Sequence, residues 1–436
     1  MTDTKKKIMV DMSATLIHHG HIRLLKEASK LGNVIVGLTT DQEIKAKKHF
    51  EPEMDFNSRK EVLEAIKYVS EVVPTPWIID DSILEQYSVD YLVHGSDNVN
   101  DIDLEKLKIF PRTDGISSTT IRSRVQKAIT DKGNHKLMLT PGPAVLLHEN
   151  IKYLKPVFGR GDEEYLSMAD SVSDWVRSLS GQDELVMAQG SATFALELAA
   201  HSFVSGKVLI ISTGYYSDRL KKLLPEGCQV KMCDYEDLDD ESGKFDWVMC
   251  TYTETSTAFK SDLERIRSKS DSLGAKLYVD ATGSIGLEEN HELADLMAFS
   301  SCKGLFGLTG ACFVAFKSGL KPKTLQSFYF NLETQKNKMV TGPYHAISSL
   351  FGVMHNHEIL RERVIRSKEF VLNNWGKLAR ESNQPLLCTY LEGKVLPKDD
   401  NIILYSPRSK NEGSVICHFG EIHNDEIKLG TRIAIA

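Results

Sequence analysis

Short apolar runs that break off at polar or small residues recur along the chain, and they constrain its fold more than any other feature. The first are Lys7-Ile8-Met9-Val10, Val34-Ile35-Val36-Gly37-Leu38 and Tyr91-Leu92-Val93-His94. Helical patterns lie between them, Ile22 to Ala28 and Lys60 to Tyr68. Later runs start at Leu185, Val208, Trp247, Leu277, Met297 and Cys312. Buried strands alternating with helices make doubly wound α/β sheets. A chain of 436 residues carries a length prior of two to three domains. The polar stretch Ser123 to Lys136, with the breaker Lys132-Gly133-Asn134, reads as a linker. We therefore expect one domain over residues 1–130 and a second over 131–436. The second has a large part at about 137–340 and a small α/β part at about 341–436, joined by a long helix from His345 to Leu360.

Two of the strand ends carry chemistry. Lys276-Leu277-Tyr278-Val279 ends in Asp280, and Leu296-Met297-Ala298-Phe299 is followed by Ser300-Ser301-Cys302-Lys303. A lysine that forms a Schiff base and an acid that pairs with a protonated pyridine nitrogen are what pyridoxal phosphate (PLP) requires. A surface lysine beside an unrelated strand-end acid gives the same pattern. Gln189-Gly190-Ser191-Ala192-Thr193 opens a helix and offers N–H groups and hydroxyls to a phosphate. An ordinary capped helix would read alike. Tyr215-Tyr216 supplies an aromatic for a cofactor ring, and Thr251 to Thr257 is a hydroxyl-rich loop suited to a ligand.

Taken together, the residues from about Leu137 onward resemble class V, fold-type I PLP-dependent aminotransferases, 2-aminoethylphosphonate–pyruvate aminotransferases most of all. The resemblance rests on Leu139-Thr140-Pro141-Gly142-Pro143, Gln189 to Ala195, Glu254-Thr255-Ser256-Thr257-Ala258, Asp280, Lys303, Thr341-Gly342-Pro343 and Arg432, in that order. It implies Lys303 as the Schiff-base lysine and Asp280 as the ring acid. It implies Ser191, Ala192, Thr193, Tyr216, Thr255 and Thr341 as further cofactor contacts, with Thr341 reaching the cofactor of a neighbouring subunit. Arg432 would hold a substrate carboxylate. Ala192 and Ala258 stand where the family has Gly, and the small C-terminal part is shorter than is usual there.

The first domain has a different signature. Lys7-Ile8-Met9-Val10 leads through Asp11-Met12-Ser13-Ala14-Thr15 to His18-His19-Gly20-His21 at the start of a helix. Helix-start N–H groups and two imidazoles favour a polyphosphate. Surface histidines or a metal site are the alternatives, the metal being weaker because no Cys or Asp has ligand spacing on that turn. The His-x-Gly-His motif resembles the cytidylyltransferase superfamily. The likeness extends through Phe56-Asn57-Ser58-Arg59-Lys60, His94-Gly95-Ser96-Asp97 and Arg112-Thr113-Asp114-Gly115-Ile116-Ser117-Ser118-Thr119-Thr120, and covers Lys7 to about Val125. Within the superfamily this half is similar to glycerol-3-phosphate cytidylyltransferases, and Asp11-Met12-Ser13-Ala14 looks like the form fused to phosphonate-biosynthesis enzymes. Thr15 replaces an Asp usual there. The resemblance implies a Rossmann-like nucleotidyltransferase domain with His18 and His21 catalytic. Met12, Ser13, Lys45, Arg59, Gly95, Arg112, Ile116, Ser117, Ser118 and Thr119 would bind nucleotide, with CTP as substrate, accompanied by Mg2+, and no protein metal site.

Net charge is −7, which argues against nucleic acid as the main partner. Seven scattered cysteines, odd in number and without metal spacing, read as reduced thiols. Cys302 beside Lys303 reads as a small core residue rather than a catalytic thiol. The N-terminus lacks an apolar signal region, and no run reaches ~18 apolar residues. The expectation is a cytoplasmic enzyme, homodimeric or larger, acting on small anionic metabolites. One reading is a bifunctional enzyme that transaminates phosphonoacetaldehyde and couples 2-aminoethylphosphonate to CMP from CTP. A second has the same activities on a phosphate ester, an aminated triose phosphate or phosphoethanolamine. A third leaves one half active and the other a binding or dimerisation module.

Overall fold

A computed structural model describes residues 5–48, 50–133, 136–155, 159, 161–380, 383–408, 412–424 and 427–436. The chain divides into two compact units, Met1–Ile129 and Thr130–Ala436.

The first unit contains β1 (Lys7–Met12), α1 (His19–Ala28), β2 (Asn33–Thr39), α2 (Asp41–Lys48), α3 (Phe56–Glu64), β3 (Glu71–Thr75), α4 (Asp81–Gln86), β4 (Tyr91–Gly95), β5 (Leu107–Phe110) and the start of α5 (Ser118–Gly133). Its five strands run parallel in the order β3-β2-β1-β4-β5. Strand periodicity divides each strand between two cores. Ile8, Val10 and Met12 pack with Leu25, Val36 and Leu63 on one face. Met9 packs with Ile35, Val73, Leu84 and Leu92 on the other. The strand order reverses between β1 and β4, which opens a crevice at their carboxyl ends.

The second unit comprises β6 (Leu137–Leu139), α6 (His148–Lys152), α7 (Glu163–Ser180), β7 (Glu184–Gln189), α8 (Ala192–Phe203), β8 (Lys207–Ser212), α9 (Tyr215–Arg219), β9 (Gln229–Asp234), β10 (Trp247–Thr251), β11 (Thr253–Glu254), β12 (Phe259–Lys260), α10 (Leu263–Ser272), β13 (Lys276–Asp280), β14 (Leu296–Ser300), β15 (Ala311–Phe316), α11 (Leu332–Lys336), α12 (Tyr344–Val353), α13 (His357–Trp375), β16 (Cys388–Leu391), β17 (Val395–Pro397), β18 (Ile402–Leu404), β19 (Ser414–Cys417), α14 (Leu429–Arg432) and β20 (Ile433–Ile435). Seven strands form its main sheet, ordered β7-β15-β14-β13-β10-β8-β9, with β15 antiparallel to both neighbours. All six strands read from the sequence lie in it. Leu209, Val248, Leu277, Met297 and Phe313 face α7, α10 and α12, while Val208, Met249, Tyr278, Ala298 and Val314 face α8.

Three expectations change. The stretch read as a linker is largely helical, because Ser123 to Gly133 continue α5; Asn134 lies outside the described residues. The long helix expected from His345 is two helices, α12 and α13, separated by a 3-10 turn at Met354–Asn356. α12 buries Ala346, Ile347 and Leu350 in the core of the main sheet, so the large part extends past residue 341. The small part is built on α13 and two-stranded pairings, and β6 joins it through β18. All seven cysteines are free. Among the described residues no helix is long and apolar enough to cross a membrane.

Candidate active sites

In the first unit a cavity of about 830 Å³ opens at the carboxyl ends of β1 and β4. The starts of α1 and α5 both contribute to it, through His18, Gly20 and His21 and through Ser117, Ser118 and Thr119. Two helix N-termini therefore direct N–H groups and positive dipole ends at one space.

The two histidines are held in a defined way. His18 caps α1, and its Nδ1 accepts from the Gly20 N–H at 3.2 Å. The Nδ1 of His21 accepts from the His18 N–H at 3.3 Å. The rings stack with centroids 3.9 Å apart. A neutral imidazole that accepts through Nδ1 carries its proton on Nε2, so both rings are Nε2–H donors. Burial and the neighbouring His18 and Lys48 push His21 down to about 4. Burial also lowers His18. Both rings are thus neutral at pH 7.

Of the expected nucleotide contacts, Met12, Ser13, Gly95, Arg112, Ile116, Ser117, Ser118 and Thr119 line this cavity beside His18 and His21. Lys45 and Arg59 do not. Lys45 is exposed and paired with Glu51 at 2.5 Å. Lys48, one turn further along α2, lines the cavity and donates to Ser13 Oγ at 3.0 Å. A basic run at a helix end gave no sign of which lysine turns inward. Arg59 is fully buried, donating to the carbonyls of Ser13, Thr39 and Met54 and to the Asp41 carboxylate. It positions the Ser13 loop from behind. Thr15 is buried and accepts from Arg122 at 2.9 Å. Asp11 lines the cavity as well, unforeseen from the sequence.

In the second unit a cavity of about 180 Å³ is lined by Ser191, Ala192, Thr193, Tyr216, Thr255, Asp280 and Lys303, all expected cofactor contacts. Its floor is the carboxyl edge of the main sheet. Asp280 ends β13 between Thr251 of β10 and Ala298 of β14. Asp280 is buried, and its Oδ1 accepts from the Thr282 N–H at 3.0 Å. Lys303 lies three residues past the end of β14, with Nζ 6.0 Å from the Tyr216 ring centre. Gly142 presses on the lysine stem: a Cβ there would stand 3.0 Å from Lys303 Cγ, and its φ of +144° suits only glycine.

The start of α8 faces this cavity, and Ser191 makes no side-chain cap bond. Arg219, missed from the sequence, lies beside it. Its Nη1 donates to Thr193 Oγ1 at 3.4 Å, its Cζ lies 5.2 Å from the Tyr216 ring centre, and its Nε is buried without a partner. Thr251, Thr253 and Thr282 line the same space with buried, unpartnered hydroxyls. Buried donors left open in this way mark a site built for a polar guest. A helix start and a guanidinium suit a phosphate, a buried acid suits a ring nitrogen, and a lysine suits an aldehyde, so the residue set fits PLP. Fully buried Glu254 accepts from the N–H groups of Tyr216 and Ser217 at 2.9 Å and from Ser256, and so fixes the start of α9. Its pKa is raised by burial.

Arg432 is not brought to this cavity. Its guanidinium pairs with Asp399 at 3.3 Å instead. Thr341 is exposed and does not line the cavity of its own chain. Cys302 is half-buried, its Sγ 3.7 Å from Ser300 Oγ, and also stays outside the lining. Ala258 packs with Cys388, Tyr390, Val415 and Cys417 and does not line the cavity.

Comparison with known proteins agrees with this division. Residues 14–124 match the cytidylyltransferase-like family model. Glycerol-3-phosphate cytidylyltransferase of Staphylococcus aureus is 36% identical over 128 residues, 28% of this chain and 95% of that protein. The chain belongs to the cytidylyltransferase-like family. That membership rests on its N-terminal unit, which is of nucleotidyltransferase type. Ethanolamine-phosphate cytidylyltransferase of Mus musculus is 31% identical over 141 residues, 30% of this chain and 34% of that one. Elsewhere the likeness is structural. Aspartate aminotransferase of subgroup IV from Thermus thermophilus superposes with a TM-score of 0.55 at 20% identity, over 65% of this chain and 93% of that one. The second unit therefore has the aminotransferase fold.

Proposed function

We propose that this chain is a bifunctional enzyme that aminates phosphonoacetaldehyde and then joins the product, 2-aminoethylphosphonate, to CMP from CTP. The observation that carries the reading is the pair of Nε2–H imidazoles between two helix starts in the larger cavity. CTP lies with its phosphates on the α1 and α5 N-termini, near Lys48 and Arg112, with Mg2+ accompanying it. A phosphonate oxygen attacks the α-phosphorus, the bond from that phosphorus to the bridging oxygen breaks, and pyrophosphate leaves. His18 and His21 donate to the oxygens on which charge builds. Neutral rings do this without binding the ground state as tightly as imidazolium would, which favours the transition state.

In the second unit PLP, when bound, supplies an electron sink for amino-group exchange. Lys303 provides the amine that holds its aldehyde carbon and moves protons there. Asp280 keeps the ring nitrogen protonated, and Tyr216 offers an aromatic face. Ser191, Ala192, Thr193 and Arg219 take the phosphate. Thr341 serves the cofactor of a second copy, so the active form is a dimer or larger.

The fusion supports the coupling, because the product of one half is the acceptor of the other. The activities of the relatives, glycerol-3-phosphate and ethanolamine-phosphate cytidylyltransferases, favour a second reading, with a phosphate ester as acceptor. Pyrophosphate release from CTP with 2-aminoethylphosphonate, phosphoethanolamine and glycerol phosphate decides between them. The phosphonate is expected to give the highest kcat/KM. A faster phosphate ester overturns the phosphonate assignment, and no release with any acceptor overturns the nucleotidyl-transfer reading.

A further inference from the structure

The small part of the second unit brings two arginines to the loops that flank the smaller cavity, with no acid to hold them. Arg408 lies beyond β18. Its Nη1 donates to the Tyr215 hydroxyl at 3.0 Å, and its Cζ stands 5.1 Å from that ring's centre. Arg380 lies beyond α13. Its Cζ stands 4.0 Å from the Tyr390 ring centre, and its Nη1 donates to the Thr257 carbonyl at 3.5 Å. Thr257 Oγ1 donates to the Thr213 carbonyl at 3.0 Å, which ties the loop under Arg380 to the turn that carries Tyr215. Arg408 is exposed and Arg380 half-buried, and no carboxylate pairs with either among the described residues. Arg432 differs, because Asp399 already holds it at 3.3 Å. A guanidinium that leans on a ring and one acceptor keeps most of its five donors for a guest.

Tyr405 connects the two arginines to the cavity. It packs against the cluster of Ala258, Cys388, Tyr390 and Cys417. Its hydroxyl is buried beside Thr255 and Tyr216 and takes no hydrogen bond, and the Thr255 hydroxyl is unpartnered as well. Thr255 and Tyr216 both line the cavity. Buried hydroxyls left open call for a polar guest. Lys303 is close by, within electrostatic reach of Cys417. Its Nζ is 6.0 Å from the Tyr216 ring centre, and that ring is 5.3 Å from Tyr215. Arg408 is exposed and tied by one side-chain bond, so its long side chain can turn over Tyr216 toward the cavity.

We infer that Arg408 and Arg380, with Tyr405, form the anion subsite of the second unit, and that its substrates are small amines and aldehydes carrying a dianionic phosphonate or phosphate. Two guanidinium groups match a dianion better than a single carboxylate. The inference rests on the PLP reading of the second unit and gives the anion to a segment other than that of Arg432.

The test uses the full chain loaded with PLP and follows cofactor absorbance as an amine is added. 2-Aminoethylphosphonate is compared with β-alanine, which has a carboxylate in place of the phosphonate, and with propylamine, which has no anion. Wild type should prefer the phosphonate to either by on the order of 10- to 100-fold, the usual range for a hydrogen bond to a charged group. Arg408→Gln and Arg380→Gln should each raise the KM for 2-aminoethylphosphonate by about that factor. Neither should change the reaction of propylamine, and Arg432→Gln should behave as wild type. A second readout needs no turnover: calorimetric titration with ethylphosphonate. Binding by the first unit is common to all the proteins, so heat lost in the Arg380→Gln/Arg408→Gln double variant belongs to this subsite. A wild type without phosphonate preference overturns the inference. So does a KM effect confined to Arg432→Gln, or a double variant that binds ethylphosphonate as wild type does. Ethylphosphonate binding that depends on the two arginines, in a chain that exchanges no amino group, upholds the subsite and removes the amino-transfer reading instead.

Discussion

Two lysines three residues apart in α2 separate what a residue type offers from where the fold sends it. Lys48 reaches into the nucleotide cavity and touches Ser13, while Lys45 stands in solvent beside Glu51. A solvent-exposed ion pair adds little to stability, so Lys45→Ala should leave CTP turnover and melting temperature nearly unchanged. Lys48→Ala should raise the KM for CTP about tenfold or more, the loss of one charge-assisted phosphate contact. Steady-state pyrophosphate assays of the two variants check this, and equal behaviour would remove Lys48 from the site. Asp280 makes the complementary case in the second unit. Its assignment could be made from the sequence because an acid ending an apolar run sits at a sheet's carboxyl edge. Asp280→Asn should still take up PLP, seen as visible absorbance, yet lose amino-group transfer by on the order of 10³-fold, about 4 kcal/mol. Near-normal turnover would mean that the acid does not face the ring nitrogen. Arg219 could not have been read this way. It belongs to no local pattern and matters through a partner distant in sequence, Thr193.

At the scale of elements, every strand of the main sheet except β9 left an apolar run that could be read from the sequence. β8, β10, β13, β14 and β15 are continuous apolar runs because both faces of the sheet are covered. β9 is the edge strand beside β8, reads Gln-Val-Lys-Met-Cys-Asp, and left no such run. The break between α12 and α13 is equally silent, since the turn Met354-His355-Asn356 holds no Gly or Pro to mark it, while the two helices serve chiefly different cores. Arg59 shows how one helix fixes a neighbouring loop. It joins α3 to the Ser13 loop and to the start of α2 through four acceptors. Arg59→Met would leave those acceptors unpaired, and we expect the first unit to lose about 3 kcal/mol of stability. Chemical denaturation followed by a probe in that unit checks the loss. A variant that stays stable but loses CTP affinity would place Arg59 in direct contact with nucleotide.

For the whole chain, two units with separate cavities predict separable losses. Lys303→Ala should abolish cofactor absorbance and amino-group transfer while pyrophosphate release continues. His18→Ala should cut kcat for CTP by roughly 10²–10³-fold and leave the second site working. Loss of both activities from either change in a folded protein would contradict the division of labour. Acid stability links to buried histidines in both units. His21 and His291 are pushed down to about 4 and His418 to about 3, chiefly by burial. A histidine whose folded pKa lies below its unfolded value of about 6.5 favours the folded state only while neutral. Its contribution is complete above pH 6.5 and shrinks as pH falls toward the folded value, at about 1.4 kcal/mol per pH unit for each group. The buried carboxyls of Glu254 and Glu421 are raised by burial and act in the opposite sense, taking up protons more readily in the folded chain. A single substitution isolates one term. His418 bonds Thr389 Oγ1 at 2.9 Å, and His418→Gln can keep a polar partner there without titrating. Its stability relative to wild type should improve steadily from pH 7 to pH 4, because wild type alone is losing the histidine term. Melting curves of the two proteins that stay parallel across that range would show that His418 does not titrate with unfolding.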